Sequence, residues 1–262
     1  MRLSRFRFHV PAMALLALCS SLRAAEPAIG PEQAIQAASQ NGTLIYLVFY
    51  READATTNAL LETVKAASDG HAGTSWASVR VTDPAERAVA ERFKVARAPM
   101  PMVMAVAPNG AVTGAFSKRA TKEALAGCIV SPKKAECMAA LQQDKLVLLC
   151  LQEQPGEALP AAIEEWVADP SFGDRTRVMT VTMSESAEAG FLESMQIDPK
   201  QSGPLTVFLA PPGVMVGKFP PSATKEELAT KLAAAGKCCD DANCKHNQRP
   251  TNSATAPRKV TR

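Results

Sequence analysis

The segment Pro101-Met-Val-Met-Ala-Val-Ala-Pro-Asn-Gly110 recurs 103 positions later as Pro204-Leu-Thr-Val-Phe-Leu-Ala-Pro-Pro-Gly213. The match continues without a gap to Leu125 and Leu228, and 11 of the 25 aligned positions are identical. Unrelated sequences of ordinary composition would share about one or two. A period of roughly 100 residues is too long for a solenoid repeat and is typical of a duplicated domain. The sequence therefore predicts two copies of one small fold.

Around each copy, helix and strand patterns alternate. Thr43 to Tyr50 is an apolar, β-rich run that indicates a buried strand, and apolar residues at helical spacing follow from Thr56 to Ser68. A second strand, Trp76 to Val81, and a second helix come next, and Asn109-Gly110 predicts a β-hairpin turn. Thr121 suits the N-cap of a closing helix. The second copy repeats this order and ends in a helix that begins with the capping box Thr224-x-x-Glu227.

This order, with a proline directly before the hairpin, resembles the thioredoxin fold. The resemblance covers about 30–130 and 140–236. It rests on Phe49-Tyr50, Val95 six residues before Pro101, Asn109-Gly110 and Gly114 in the first copy, and on Ile197, Pro204, Gly213 and Gly217 in the second. It implies an α/β protein of two tandem thioredoxin-like domains, each a central mixed sheet flanked by helices. It also implies cis peptide bonds before Pro101 and Pro204, where the repeat favours Pro101 over Pro99. The alternative is that each proline simply begins an edge strand.

The cysteine pair of the thioredoxin family is absent from both copies. The family's reaction needs C-x-x-C after the central strand, where a helix N-terminus favours the thiolate. Asp54 and Thr57 occupy these positions in the first copy, and Gly156 and Leu159 in the second. The sequence therefore favours a protein that is not a redox enzyme. Asp54 either caps the following helix or, together with Thr57, binds a ligand beside the proline loop.

The resemblance also predicts a binding surface. In the thioredoxin family, the backbone before the cis-proline pairs with an extended peptide, a form of strand addition. Met100 and Gly203 precede Pro101 and Pro204 in this chain. A flexible methionine at that position suits a permissive apolar groove. We therefore expect a peptide or protein partner, with Met100, Pro101, Gly203, Pro204, Asp54 and Thr57 as candidate binding residues.

The first 25 residues are expected to form a signal peptide. Arginines precede a short apolar core from Ala12 to Leu22, which is too short to span a bilayer comfortably. Lipoprotein anchoring at Cys19 is disfavoured, because Leu18 is bulky where that motif needs a small residue. The predicted organisation is a signal peptide (1–25), two thioredoxin-like domains (26–130 and 131–236) and a largely disordered basic tail (237–262). The expected location is periplasmic or secreted.

The overall charge does not indicate nucleic-acid binding. Four of the 29 basic residues lie in the predicted signal peptide, which leaves 25 against 26 acidic residues. The remaining basic excess lies in the tail after Gly236, so the net charge gives no evidence of a nucleic-acid partner. No further apolar run is long enough for a membrane span.

The cysteines cluster after each copy. An exported protein lies in a compartment where disulfides form, so we expect the pairs Cys128–Cys137 and Cys244 with Cys239 or Cys238. Cys150 lies within an apolar strand and is expected to be a buried thiol. Cys238, Cys239, Cys244 and His246 also form a competent ligand set for Zn or for Cu(I), although their spacing matches no structural zinc pattern. Thiol–disulfide chemistry by these cysteines is a third possibility, and no other cofactor is predicted.

Overall fold

The computed structural model describes residues 30–198 and 203–236 of the 262-residue chain. In the first domain, helices and strands alternate until the hairpin formed by the last two strands. Its elements are α1 (Pro31–Gln40), β1 (Leu44–Tyr50), α2 (Ala55–Asp69), β2 (Thr74–Arg80), α3 (Arg87–Arg92), β3 (Met102–Val106), β4 (Val112–Ser117) and α4 (Lys122–Ala126). One-turn 3₁₀ helices precede α3 and β3, at Pro84–Glu86 and Val95–Arg97.

The second domain repeats this order of elements. They are α5 (Pro132–Gln142), β5 (Leu146–Gln152), α6 (Ala161–Ala168), β6 (Thr176–Thr182), α7 (Ala189–Ser194), β7 (Leu205–Ala210), β8 (Val214–Phe219) and α8 (Lys225–Gly236). Its first helix, α5, begins at Pro132, as α1 begins at Pro31. Proline suits the first helical turn because no intrahelical hydrogen bond is lost there.

Each domain contains a four-stranded mixed sheet. The strand orders are β2-β1-β3-β4 and β6-β5-β7-β8. In both sheets the first strand is parallel to the second and antiparallel to the third, and the last two strands form the hairpin. This is the topology expected of two tandem thioredoxin-like domains, and the predicted fold class is confirmed.

The central strand of the first domain is buried on both faces, which explains its continuous apolar sequence. Ile45, Leu47 and Phe49 pack with α1 and α3 on one face of the sheet. Tyr46 and Val48 pack with α2 and α4 on the other. The alternation follows from the two-residue period of a strand, and it divides the apolar core of this domain into two clusters.

The second domain fills the equivalent space with aromatic rings. Trp166 of α6 is fully buried and stacks on Phe172 at a centroid distance of 4.0 Å. Phe208 of β7 meets the Trp166 ring edge-on at 5.3 Å. The indole nitrogen donates a hydrogen bond to the hydroxyl of Thr176 at 3.0 Å, so burial leaves no polar atom of this side chain unpaired.

Side-chain caps fix the beginnings of three helices. Asp54 caps α2 and Thr121 caps α4 through hydrogen bonds from backbone N–H groups three residues later. Thr224 and Glu227 exchange hydrogen bonds of 3.1 and 3.3 Å before α8, as a capping box does. The predicted helix starts at Thr121 and Thr224 are confirmed.

A small apolar cluster and one glutamine join the domains. Ala107 and Ala111 of the first domain pack against Ala135 of α5. The side-chain amide of Gln142 donates to the carbonyl of Val112 at 2.8 Å and accepts from its N–H at 2.9 Å. Val112 lies on an edge strand, so Gln142 satisfies backbone groups that no strand pairs.

Among the described residues, the cis peptide bonds are Met100–Pro101 and Pro211–Pro212. The bond before Pro204 was also expected to be cis, and it is not among them. The second cis bond instead lies in the β7–β8 turn, where two successive prolines occur. Within the described ranges, no helix is long and apolar enough to cross a membrane.

Candidate functional site

Three chain segments meet at one edge of the first sheet. Phe49 pairs with Val79 on β2 and with Met102 on β3. Because β1 and β2 are parallel and β3 is antiparallel to them, the ends of β1 and β2 lie beside the beginning of β3. We call this the carboxyl edge of the first sheet. Open α/β sheets bind ligands outside the carboxyl ends of their strands.

Asp54 and Thr57 lie in the loop and first helical turn that follow β1. A carboxylate oxygen of Asp54 accepts the N–H of Thr57 at 2.8 Å, so Asp54 is the N-cap of α2, as one of the two interpretations of the sequence held. This hydrogen bond is the main reason that the pKa of Asp54 lies below its ordinary value. Thr57 is buried, and its hydroxyl donates to the carbonyl of Glu52 at 2.8 Å. Both side chains therefore have structural partners within the loop.

Met100 and Pro101 lie directly before β3 at the same edge. Pro101 is buried and its carbonyl accepts the N–H of Lys118, while Met100 is half-buried against the core of the first domain. Within the described residues, the backbone N–H and carbonyl of Met100 have no hydrogen-bonding partner. This edge therefore presents one free backbone donor and one free acceptor beside an apolar side chain.

The equivalent loop of the second domain is held differently. The carboxylate of Glu157 accepts the N–H groups of Glu153 and Gln154 at 3.2 and 2.7 Å. The side-chain amide of Gln152 donates to the Glu157 carbonyl at 2.6 Å, so the loop closes on itself. At the predicted site of this domain, Gly203 is exposed and Pro204 is half-buried. These two residues directly precede β7 of the second sheet, so the candidate residues lie at two separate sheets.

A cationic cavity at the carboxyl edge was not predicted from the sequence. It has a volume of about 600 Å³, and its basic side chains are Arg51, Arg87, Lys94 and Arg97. We call it the cationic pocket. Arg51 follows β1, Arg87 begins α3, and the other two flank the turn before Met100, so the four are spread over 47 positions of the sequence. Their clustering becomes visible only once the edge of the sheet is assembled.

The predicted disulfide between Cys128 and Cys137 is wrong, because both residues are buried free thiols. Cys128 packs into the core of the first domain, behind Tyr46 and α2. Cys137 lies within α5, not in a connector, and packs into the core of the second domain. The two sulfurs are therefore held in different cores. Cys150 is a buried free thiol in β5, as the sequence predicts.

Burial keeps these three thiols protonated. It raises the pKa of Cys137 to about 11, with a smaller contribution from Glu136, and raises the pKa values of Cys128 and Cys150. Reactive cysteines show the opposite shift, because the thiolate is the nucleophile. Cys128, Cys137 and Cys150 thus have a structural environment and no reactive one.

The predicted metal ligands Cys238, Cys239, Cys244 and His246 lie outside the described residues, and so does the predicted disulfide of Cys239 with Cys244. Within 30–198 and 203–236, no group of three histidine, cysteine or acidic side chains is arranged to hold a metal ion.

No protein-family model and no curated protein matches this sequence. Among solved structures, the zinc-bound form of human ERp44 is similar at 14% identity with a TM-score of 0.34, covering 80% of this chain and 57% of that one. The first two thioredoxin domains of Saccharomyces cerevisiae Eps1p give 11% identity, a TM-score of 0.29, and coverages of 80% and 97%. The N-terminal domain of alkylhydroperoxide reductase AhpF from Enterococcus faecalis is 15% identical with a TM-score of 0.27. The match covers 77% of this chain and 99% of that one.

These likenesses are too low to carry an argument about activity, and this chain spans little more than half of ERp44. The class is defined by strand order and strand direction. The fold is two thioredoxin-like domains in tandem, and the loop after the first strand of each sheet contains no cysteine.

Proposed function

We propose that this protein is a non-catalytic, exported thioredoxin-like protein that binds an extended segment of a peptide or protein partner in the cell envelope. The observation that carries the proposal is the free backbone of Met100 beside a loop in which Asp54 and Thr57 replace the cysteine pair. A carboxylate and a hydroxyl cannot exchange disulfides. With these two side chains, this edge can still bind a partner but cannot carry out thiol–disulfide exchange.

Strand addition is the binding mode that this edge supports. An extended segment running past Met100 would accept from its N–H and donate to its carbonyl, and these hydrogen bonds would supply affinity without sequence specificity. The half-buried Met100 side chain supplies an adaptable apolar contact. Asp54 and Thr57 serve the proposal indirectly. The hydrogen bond from the Thr57 N–H to Asp54 and the one from the Thr57 hydroxyl to the carbonyl of Glu52 hold the loop beside this edge.

Export is the other half of the proposal. It is supported by the arginines at positions 2, 5 and 7 and by the apolar core that follows. Cell fractionation with a C-terminal tag tests it. We expect the tagged protein in the periplasm or medium and expect it to shift to the cytoplasm when the three arginines become glutamates. Cytoplasmic location of the unaltered chain would contradict export.

Methionine-methyl NMR tests the binding mode. The ε-methyl groups of the purified chain are labelled with ¹³C, and a reduced, alkylated and therefore unfolded protein is added as ligand. We expect the Met100 signal to shift in proportion to bound ligand. The signal of Met179, which is buried in the second domain, serves as the internal control and is expected to stay unchanged. An unchanged Met100 signal at saturating ligand refutes strand addition at this edge.

The competing function is thiol–disulfide or metal chemistry at the C-terminal cysteines. The motif Cys238-Cys239-x4-Cys244-x-His246 favours it, since three thiolates and an imidazole bind Zn or Cu(I). Insulin reduction separates the two functions, because the proposal expects no turnover. Turnover that disappears in Cys244→Ser would replace the proposal by an oxidoreductase function. Stoichiometric zinc or Cu(I) that is lost in the same variant would replace it by metal handling.

A further inference from the structure

The cationic pocket is a feature of the described residues that the proposed function does not use. Its four basic side chains are exposed, and Glu91 is the one carboxylate among the lining residues. None of the four cations lies within ion-pair distance of any described carboxylate. Cations at a surface are ordinarily interspersed with acidic groups, so an unpaired group of four around one concave surface creates a local positive field.

Contacts between separate chain segments shape the pocket. A guanidinium nitrogen of Arg51 donates to the carbonyl of Ala96 at 3.4 Å, and this contact ties the end of β1 to the turn before Met100. Half-buried Val81 and buried Ala90 form the floor of the pocket. Lys94 has a left-handed backbone with φ of 54°, which turns the chain at the rim.

The second domain shows that the fold does not require these charges. The equivalent cavity, of about 430 Å³, has Ala189, Glu193, Gln196 and Asp198 on its wall. Ala189 takes the place of Arg87 at the start of the helix, and Gln196 takes the place of Lys94. The backbone of Gln196 has the same left-handed conformation, with φ of 57°. Glu153 follows β5 where Arg51 follows β1. The backbone is therefore built equally well without the cations.

We infer that the cationic pocket binds an acidic segment of the extended partner that pairs with Met100. This inference deepens the proposed function and depends on it. The pocket and Met100 share the carboxyl edge of the first sheet, and Arg97 lies three residues before Met100 in the chain. One extended segment can therefore contact both at about 3.3 Å per residue. Glutamate or aspartate side chains in that segment would meet the guanidinium groups as charge-assisted hydrogen-bond partners.

Other anionic ligands fit the pocket less well. No aromatic side chain lines it, and single-stranded nucleic acids are bound by basic grooves that also offer aromatic stacking surfaces. A volume of about 600 Å³ greatly exceeds one phosphate group. A peptide segment with several carboxylates can extend along the cationic pocket and pair with all four of its separated cations.

The test uses a pocket variant whose changes copy the second domain: Arg51→Glu, Arg87→Ala and Lys94→Gln. Its matched control removes the same charge from cations of the chain outside the pocket: Lys65→Glu, Arg92→Ala and Lys134→Gln. Binding of dye-labelled peptides of about eight residues, which span about 26 Å when extended, is measured by fluorescence anisotropy. A glutamate-rich peptide is compared with its glutamine and lysine counterparts, and circular dichroism confirms that each variant is folded.

We expect the unaltered chain to prefer the glutamate peptide over the glutamine peptide by about tenfold, and this preference to decrease as salt increases. The pocket variant is expected to lose the preference, and the matched control to retain it. Equal affinities of the unaltered chain for the two peptides would refute the inference, and so would equal losses in the two variants.

Three other outcomes also overturn the inference. They are displacement of the glutamate peptide by millimolar inorganic phosphate, pocket-dependent binding to anionic vesicles without peptide binding, and pocket-dependent self-association in sedimentation velocity without peptide binding. The Met100 methyl signal distinguishes failure of this inference from failure of the proposed function. If the glutamine peptide shifts it without any acidic preference, the inference fails and the proposed function survives. If neither peptide shifts it, the proposed function fails as well.

Discussion

The two domains share one topology, but different side chains stabilise their equivalent loops and cores. In the first, a carboxylate at the N-cap of α2 fixes the loop after the central strand. In the second, Pro160 precedes α6 without a side-chain cap, and Glu157 holds the loop by accepting two backbone N–H groups. The cores differ in the same way, since Val64 stands where Trp166 stands. The two copies have the same strand order, and each stabilises that order with different side chains.

The largest expected difference between the copies concerns these two core residues. Trp166→Ala removes a fully buried ring that contacts two others, and we expect it to lower the free energy of unfolding of the second domain by about 3–5 kcal/mol. Val64→Ala is expected to cost the first domain about 2 kcal/mol, since fewer atoms are lost. Hydrogen exchange resolved by peptide measures both. Equal costs would contradict the prediction, because Trp166→Ala removes far more buried apolar surface than Val64→Ala.

The recurring glycine after the hairpin turn gives the next comparison. A Cβ at Gly114 would overlap the Sγ of Cys128, whereas a Cβ at Gly217 would lie 3.0 Å from the Phe219 ring. We expect Gly114→Ala to destabilise by about 1–3 kcal/mol, because the close-packed core must shift. Chemical denaturation of Gly114→Ala/Cys128→Ala checks the cause. The double variant should lose less than the sum of the two single losses, and simple additivity would exclude the clash as the explanation.

Tyr46 distinguishes the alkaline behaviour of the first domain, because the equivalent position in β5 is Leu148. Burial raises the pKa of Tyr46 to about 12, and its hydroxyl donates to the carbonyl of Leu125 at 2.9 Å. The unfolded chain loses this proton near pH 10, so the stabilisation is complete below pH 10 and is lost as pH rises toward 12. Tyr46→Phe is expected to cost about 1 kcal/mol at pH 7.

Denaturant unfolding from pH 8 to pH 11.5 tests the Tyr46 prediction. The difference between the unaltered chain and Tyr46→Phe should become smaller above pH 10 and remain constant below it. Leu148→Ala in the second domain is the control, since its cost should not change with pH through this residue. A constant difference over the whole range would show that the hydroxyl is not protonated preferentially in the folded state.

The smallest expected effect is the acid dependence of the Asp54 cap. The pKa of Asp54 is lowered from 3.8, chiefly by the hydrogen bond from the backbone N–H of Thr57, so its stabilisation is present above pH 3.8 and is lost as pH falls below that value. Asp54→Asn keeps a capping side chain that does not titrate. Thermal unfolding should show near-equal stability of the two chains at pH 7, and the unaltered chain should become the less stable of the two as pH falls toward 3. Parallel pH profiles would mean that the charge of Asp54 is not responsible.

Local sequence patterns were sufficient where one segment alone decides the outcome. The apolar run after Thr43 can be buried only if both faces of its sheet are covered, which is why its strand could be predicted. The capping box at Thr224 uses neighbours within one helical turn. In contrast, the expectation that Cys128 and Cys137 form a disulfide rested on their nearness in sequence. It failed because α5 belongs to the second core and carries Cys137 away.

The sequence by itself determined the duplication, the strand order of each copy and the absence of the redox cysteines. Periodicity and residue type act over a few neighbouring positions, and the repeat doubles the evidence for them. Only the tertiary structure decided which thiols share a core and which charges share a surface. One pocket contains Arg51, Arg87, Lys94 and Arg97, because the parallel pair β1–β2 brings the ends of distant segments to a single edge. No local sequence pattern predicts that these four residues lie close together.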